Sequence, residues 1–147
     1  GTSADMGNAV FVAAMLELPT MAFFSKMSEK INCGTLIKFS ILMFCVKHAL
    51  TYFATNMIMI YLAQVCQMFA YALFIPASVY YVNEKIALAD RVKGQSLVTT
   101  SMTLSGVFAN FAGGIMLDAL GVGHVLLAGI ILSIVGAIIV ILTTEKV

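Results

Sequence analysis

Charged side chains are scarce in this 147-residue chain: they make up 10% of the sequence, whereas hydrophobic residues make up 61%. An ordinary soluble domain is about 25% charged. With 8 Lys and Arg and 7 Asp and Glu, the chain has too few charges to cover a soluble surface. The net charge of +1 offers no basic patch, so no nucleic-acid partner is predicted. Together with a mean hydropathy of +1.02, this composition indicates an integral membrane protein embedded in a lipid bilayer.

Signatures of enzymes and metal sites are missing as well. The sequence contains no HExxH, GxSxG or Walker motif, so we predict no enzyme, no cofactor and no metal site. The cysteines are odd in number and lack CxxC spacing, and we expect free thiols packed as small hydrophobes: Cys33, Cys45 and Cys66. The chain opens GTSADMGN, without a secretory signal or an initiator Met, so we expect either a processed start or a piece of a longer chain.

Long apolar stretches dominate what is present. A transmembrane helix needs about 20 mostly apolar residues. Five stretches qualify, at 9–27, 35–54, 57–82, 96–117 and 122–142. They are too long and too evenly apolar for the strands of a β-barrel. The sequence therefore predicts an all-α membrane protein with one transmembrane domain of five helices over residues 1–147.

The connections between these stretches alternate in charge. Loops 28–34 and 83–95 carry Lys or Arg, and the tail carries Lys146. The N-terminus and the turns at 55–56 and 118–121 carry neither. By the positive-inside rule, we expect a multi-pass protein of the plasma membrane with its N-terminus outside and its C-terminus in the cytoplasm.

Two opposite charges fall deep inside the first and second stretches. Glu17 lies eight residues from the outer end of the first stretch and Lys47 eight residues before the turn at 55–56, so both are about 12 Å below the outer surface. Charges at such depth are costly and mark functional sites by default. The pair is either a substrate or proton site or a buried structural salt bridge, unless the side chains snorkel outward. His48 adjoins Lys47 but points about 100° away, and it is a further candidate because histidine side chains commonly transfer protons in proteins.

Uncharged polar residues form stripes on two later stretches. One stripe of the third stretch contains Tyr61, Gln64, Gln67, Met68 and Tyr71. One stripe of the fourth contains Thr103, Gly106, Asn110 and Gly113. The stripes are typical of a hydrated cavity, in which Gln64, Gln67 and Asn110 would hydrogen-bond a hydroxyl-rich solute. Interhelical hydrogen bonding is the alternative.

Three short motifs carry a resemblance to a known family. The loop SKMSEKI, residues 25–31, looks like a degenerate G-x-L-x-D-R-x-G, with Glu29 and Lys30 at the acidic and basic positions. ADRVKGQSL at 89–97 looks like the basic loop before an eleventh helix, and GGIMLDALG at 113–121 looks like the end of that helix. In loop order, spacing and orientation, the chain resembles the second half of a major facilitator superfamily transporter.

The resemblance implies the eighth to twelfth helices of a twelve-helix fold, so the N-terminal half of the same transporter would be a missing partner. It also implies alternating access of a central site, with Glu29, Lys30 and Arg91 in gating loops. Partners would be a small-molecule solute and a proton.

Within the superfamily, the chain looks most like the lactose-permease-type sugar/proton symporters. Lys47 stands where that branch has a deep arginine. Gln67 and Ala70 stand where it has a protonatable His and Glu, so we assign the coupling role to Glu17. The alternatives are a nucleoside or drug transporter of the same superfamily, or a membrane interaction or assembly subunit in which Glu17 and Lys47 simply join helices.

Overall fold

The computed structural model describes residues 3–145, except for the side chains of residues 3 and 6. The described residues form five α-helices and one short 3-10 turn at Leu88–Asp90. The helices are α1 (Ser3–Ser28), α2 (Cys33–Tyr52), α3 (Met57–Lys85), α4 (Arg91–Leu120) and α5 (Val122–Thr143). All five are long and apolar enough to cross a membrane, and the described residues include no strand, which confirms the all-α membrane fold.

Four of the helices extend beyond the apolar stretches that predict them, whereas α2 begins and ends two residues earlier than its stretch at 35–54. α1 begins at Ser3, α3 continues to Lys85, and α4 begins at Arg91. Hydropathy marks the part of a helix that fits the hydrocarbon, whereas backbone hydrogen bonding continues into the polar interface. A local cap sets the start of α3. The Asn56 side chain accepts the Met59 backbone N–H at 3.0 Å and starts α3.

A single glycine joins α4 to α5. Gly121 has φ +81°, a left-handed conformation that side chains with a Cβ rarely adopt, and its N–H donates to the Leu117 carbonyl at 3.0 Å. This conformation gives a physical reason for the glycine that ends the motif GGIMLDALG.

α3 is the central helix of the bundle, with α1 on one side and α2 on another, while α5 packs on the far side of α2. Ala63, Ala70 and Ala77 recur every seven residues along α3, and all three are fully buried. Small side chains let membrane helices approach closely, which raises their van der Waals contact. The main apolar core lies toward one end and contains Phe24, Leu36, Ile37, Leu73 and Ala77.

We call this end the basic end, because it carries the loop after α1, the connection before α4 and the tail after α5. At the basic end, Gly94 of α4 packs against the Val82 and Ile86 side chains. Gly94 is the one residue of α4 that is buried, and the most apolar window of that helix is 0% buried. α4 therefore presents nearly all of its surface outward from the described bundle.

Ser40 gives a stability prediction. Ser40 lies on α2 and is 0% exposed. The Ser40 Oγ makes no hydrogen bond to any described residue. A buried hydroxyl without a partner costs free energy, so Ser40→Ala is expected to raise the free energy of unfolding by about 1 kcal/mol. Thermal unfolding in detergent measures this.

Ser78→Ala is the matched control. Ser78 is also buried, but its hydroxyl donates to the Ile75 carbonyl at 2.8 Å, so its removal should bring no gain. A lower melting temperature for Ser40→Ala than for the wild type would contradict the prediction.

Candidate functional site

A polar relay crosses the middle of the bundle. Lys47 Nζ on α2 donates to Gln67 Oε1 on α3 at 2.5 Å. Gln67 Nε2 donates in turn to Glu17 Oε1 on α1 at 3.3 Å. All three side chains are half-buried. We call these three residues the relay.

The matching depths of Glu17 and Lys47 place them at one level of the bundle, but they do not touch. Among the described residues, Glu17 and Lys47 do not form an ion pair within 4.0 Å. The Gln67 amide joins the two charged groups instead. The sequence indicates a Gln67 side chain at this level, but not its position between the acid and the base.

The local sequence of α3 explains how one side chain reaches both neighbours. Ala63 and Ala70 lie one turn before and one turn after Gln67, and neither is exposed. Since they occupy little space, α1 and α2 approach α3 closely enough for the Gln67 amide to contact both of them.

The two charges fix the orientation of the amide. A lysine ammonium only donates hydrogen bonds and an ionised carboxylate only accepts them, so the Gln67 carbonyl oxygen faces Lys47 and its NH2 faces Glu17. An ammonium has three donors and a carboxylate about four lone-pair sites. Both groups therefore have capacity beyond the relay for hydroxyl groups or a proton.

His48 lies on the other side of α2 from the relay. Its Nδ1 is 2.8 Å from the Phe44 carbonyl oxygen, and its ring faces α5, where a Cβ on Gly129 would lie 3.4 Å from Cδ2. The ring borders a mainly apolar groove of about 380 Å³ that includes Ser133 and Gly136. Successive residues of an α-helix are rotated by about 100°, which predicts that the His48 and Lys47 side chains lie on different sides of α2.

The remaining sequence candidates lie apart from the relay. Gln64 is half-buried on α3 and takes no part in the hydrogen bonds that join the three relay residues. Asn110 is exposed on α4. Glu29 and Lys30 are exposed in the loop after α1 and line a space of about 260 Å³ that also touches Glu84. Arg91 starts α4, and its Nε donates to the Ile86 carbonyl at 3.4 Å.

The tail after α5 forms a contact that sequence reasoning missed. The Glu145 carboxylate pairs with Lys85, and its backbone N–H donates to the Tyr81 hydroxyl at 3.2 Å. The hydrogen bond from Lys85 holds the pKa of the Glu145 carboxyl below its usual range. About sixty residues separate the partners in sequence, and no local pattern links them. Lys146, which the sequence places in the tail, lies outside the described residues.

Gly34 makes the tail contact sterically possible. A Cβ at this position would overlap the Glu145 backbone carbonyl oxygen. We expect Gly34→Ala to displace the tail and to lower the free energy of unfolding by about 1–3 kcal/mol through overpacking. Thermal unfolding of the purified protein measures the change.

Gly106→Ala is the control for this substitution. A Cβ at Gly106 on α4 would meet nothing within 4 Å, and alanine favours the helix over glycine. Equal stability of the Gly34→Ala and Gly106→Ala proteins would contradict the prediction.

The described residues include no group of three or more His, Cys, Asp or Glu that could hold a metal ion. The relay residues themselves offer hydrogen bonding and, at Glu17 and Lys47, groups that can gain or lose a proton.

Comparison with known proteins gives one result. The chain matches the family described as Major Facilitator Superfamily over residues 1–147. Neither the curated proteins nor the solved structures gave a match. Because the family match covers the whole chain and the described residues form five membrane-spanning helices, this protein belongs to the major facilitator superfamily, whose members are membrane transporters and not enzymes.

Proposed function

We propose that the chain is part of a secondary active transporter that moves a small hydrophilic solute, a sugar or an oligosaccharide, together with protons by alternating access. The observation that carries this proposal is the relay, in which Gln67 joins Glu17 and Lys47 across three helices. Its residues meet at mid-bundle and remain partly exposed, which supports contact with a solute or water.

The cost of the two charges supports a functional reading. Each charge at the centre of a bilayer costs about 2.5–3.5 kcal/mol or more. A purely structural contact needs no ionisable group, because small residues and amides also join membrane helices. Glu17 and Lys47 are therefore best explained by a process that uses their charge.

The arrangement supports proton coupling. Protonation of Glu17 removes its negative charge and adds an O–H donor, which weakens its attraction for Lys47 and competes with the donation from Gln67 Nε2. A proton then changes the relative free energies of the two access states, as any coupling requires.

The hydrogen-bonding groups of the relay support the proposed solute class. Lys47 and Gln67 supply donors, while Glu17 and Gln67 supply acceptors, a combination that fits the hydroxyl groups of a sugar. The resemblance to lactose-permease-type symporters supports the same class. In the proposed arrangement, Gln67 contacts the solute and Glu17 carries the proton.

The proposed transporter includes an N-terminal half that faces this bundle across the solute pathway. The basic end faces the cytoplasm of the plasma membrane, and the loops with Glu29, Lys30 and Arg91 lie at that face. The alternation of basic and neutral loops supports this orientation.

Sealed vesicles containing the intact transporter test the proposal. Addition of lactose or a related disaccharide should cause proton uptake, seen as alkalinisation of the medium, and an imposed proton gradient should drive accumulation of the sugar. Uptake of nucleosides instead would keep the fold but replace the solute. No uptake of any such solute would favour an assembly subunit in which Glu17 and Lys47 only join helices.

A further inference from the structure

A groove between α2 and α5 takes no part in the relay. It has a volume of about 380 Å³, and small-molecule sites commonly measure about 300–1,000 Å³. Leu132 on its wall is 70% exposed, so the groove opens to the outside of the described bundle. We call this space the α2–α5 groove. It is bordered on α2 by Phe44 and His48, and on α5 by Gly129, Leu132, Ser133 and Gly136.

The α2–α5 groove lies at the depth of the lipid hydrocarbon. His48 precedes residue 55 by seven residues, and Gly129 follows Val122, the first residue of α5, by the same number. At a rise of about 1.5 Å per residue, both lie about 10 Å inward from the outer ends of their helices. Lipid chains at that depth supply neither donors nor acceptors of hydrogen bonds.

His48 presents a hydrogen-bond acceptor to the groove. Its Nδ1 lies 2.8 Å from the Phe44 carbonyl oxygen, and because a carbonyl only accepts, the hydrogen is on Nδ1. In the neutral ring, Nε2 then carries a lone pair. This atom faces α5, where a Cβ on Gly129 would lie 3.9 Å away, and no described residue donates to it.

Ser133 presents a second acceptor, one helical turn beyond Gly129 on α5. Its hydroxyl donates to the Ile130 carbonyl at 2.8 Å, so its hydrogen is used within α5 while lone pairs remain on its oxygen. The other side chains that border the groove are apolar, apart from His48. The groove therefore offers two acceptors and no free side-chain donor.

This pattern restricts the chemistry of an occupant. A plain hydrocarbon chain would leave His48 Nε2 without a partner, and an unpaired polar atom in apolar surroundings is costly. A cation would need a carboxylate, and none borders the groove. An uncharged molecule that carries one O–H donor on an apolar body meets both requirements.

We propose that the α2–α5 groove binds a membrane-soluble lipid alcohol, whose hydroxyl donates to His48 Nε2. The apolar body lies along Phe44 and along the two glycines of α5, Gly129 and Gly136, which leave space for it because they have no side chains. The groove is on another side of α2 from the relay, so this site does not depend on the proposed function.

Photolabelling of the intact transporter tests the proposal. The probe is hexadecanol with a diazirine close to the hydroxyl, and its methyl ether has the same chain without the O–H donor. Both are added to vesicles of phosphatidylcholine, a lipid that has no O–H or N–H donor of its own. Because one hydrogen bond distinguishes the probes, we expect the alcohol to label the groove at a mole fraction about fivefold lower than the ether.

Two pairs of variants locate the site. His48→Phe keeps an aromatic ring but removes Nε2, so it should abolish the preference for the alcohol. His124→Phe should keep it, because His124 has the same local geometry, with Nδ1 2.7 Å from the Leu120 carbonyl oxygen, but does not border the groove. Gly136→Leu should fill the groove and reduce labelling by both probes about fivefold or more, whereas Gly106→Leu on α4 should not. A Cβ at either glycine meets nothing within 4 Å.

Equal labelling by the alcohol and the ether in the wild type, or a preference that survives in His48→Phe, would overturn the proposal. Absence of labelling at the groove, which is expected if another helix of the transporter covers it, would overturn it as well. If His48→Phe does not reach the membrane, the wild-type comparison and Gly136→Leu decide the question. None of these measurements requires solute uptake.

Discussion

Glu17→Gln in the intact transporter should abolish proton-driven accumulation of the solute and leave downhill exchange in place. The substituted amide keeps an oxygen that accepts from Gln67 Nε2, so the relay geometry survives, but the group no longer takes up a proton. We expect the accumulation ratio to fall by about tenfold or more, which corresponds to a coupling free energy of at least ~1.4 kcal/mol. Solute uptake and proton uptake in vesicles measure both effects.

Asp90→Asn is the control for the loss of a carboxylate. Asp90 is exposed, and it pairs with Lys93 at 2.7 Å on the surface, where ion pairs contribute little. This variant should accumulate solute as the wild type does. Normal coupled uptake by Glu17→Gln would remove the proton role from Glu17, whatever the identity of the solute.

Lys47→Met is the second change with a large expected effect. It leaves the Gln67 carbonyl oxygen without its donor, and it removes the positive charge that balances the Glu17 carboxylate, which still accepts from Gln67 Nε2. Breaking a fully buried pair costs about 3–5 kcal/mol. Because these side chains are half-buried, we expect a loss of about 2–3 kcal/mol in the free energy of unfolding. Thermal unfolding in detergent measures the loss, and uptake should disappear.

A second substitution separates stability from function. In Lys47→Met with Glu17→Gln, no charge remains in the relay, so the double variant should recover most of the lost stability without recovering coupled uptake. Lys38→Met is the matched control, because Lys38 is half-buried on the same helix but lies near the basic end, and it should change stability by less than about 0.5 kcal/mol. A Lys47→Met protein as stable as Lys38→Met would show that the relay does not stabilise the bundle.

The sequence predicts the depth of the relay residues in the bundle better than it predicts which of their side chains contact each other. Counting eight residues from residue 9 and eight back from residue 55, at the outer ends of two antiparallel helices, brings Glu17 and Lys47 to one depth, because the rise of a helix is constant. Depth gives no information about which helix lies between two others. The position of α3 between α1 and α2, which brings Gln67 between the charges, depends on tertiary packing of alanines that hydropathy does not distinguish from lipid-facing residues.

The same limit applies elsewhere in the chain. Helical rotation separates His48 from Lys47, but only the packed structure places α5 against His48. The polar stripe with Tyr71 and the one with Thr103 are visible in the sequence, and Tyr71 and Thr103 line the same space of about 480 Å³ between α3 and α4. The contact of Glu145 with Lys85 has no sequence signal, because a tail and a helix end meet only after α5 packs on α2.

The recurrence of alanine along α3 has a mechanical consequence. The alanine side chain has no alternative rotamers. If α1 or α2 slid along α3, the buried Ala63, Ala70 and Ala77 could therefore not change conformation to keep the helices packed. α1, α2 and α3 should consequently move as one stiff block. Deformation of this bundle would then concentrate in α4, which pivots most easily where Gly121 and Gly94 attach it to its neighbours.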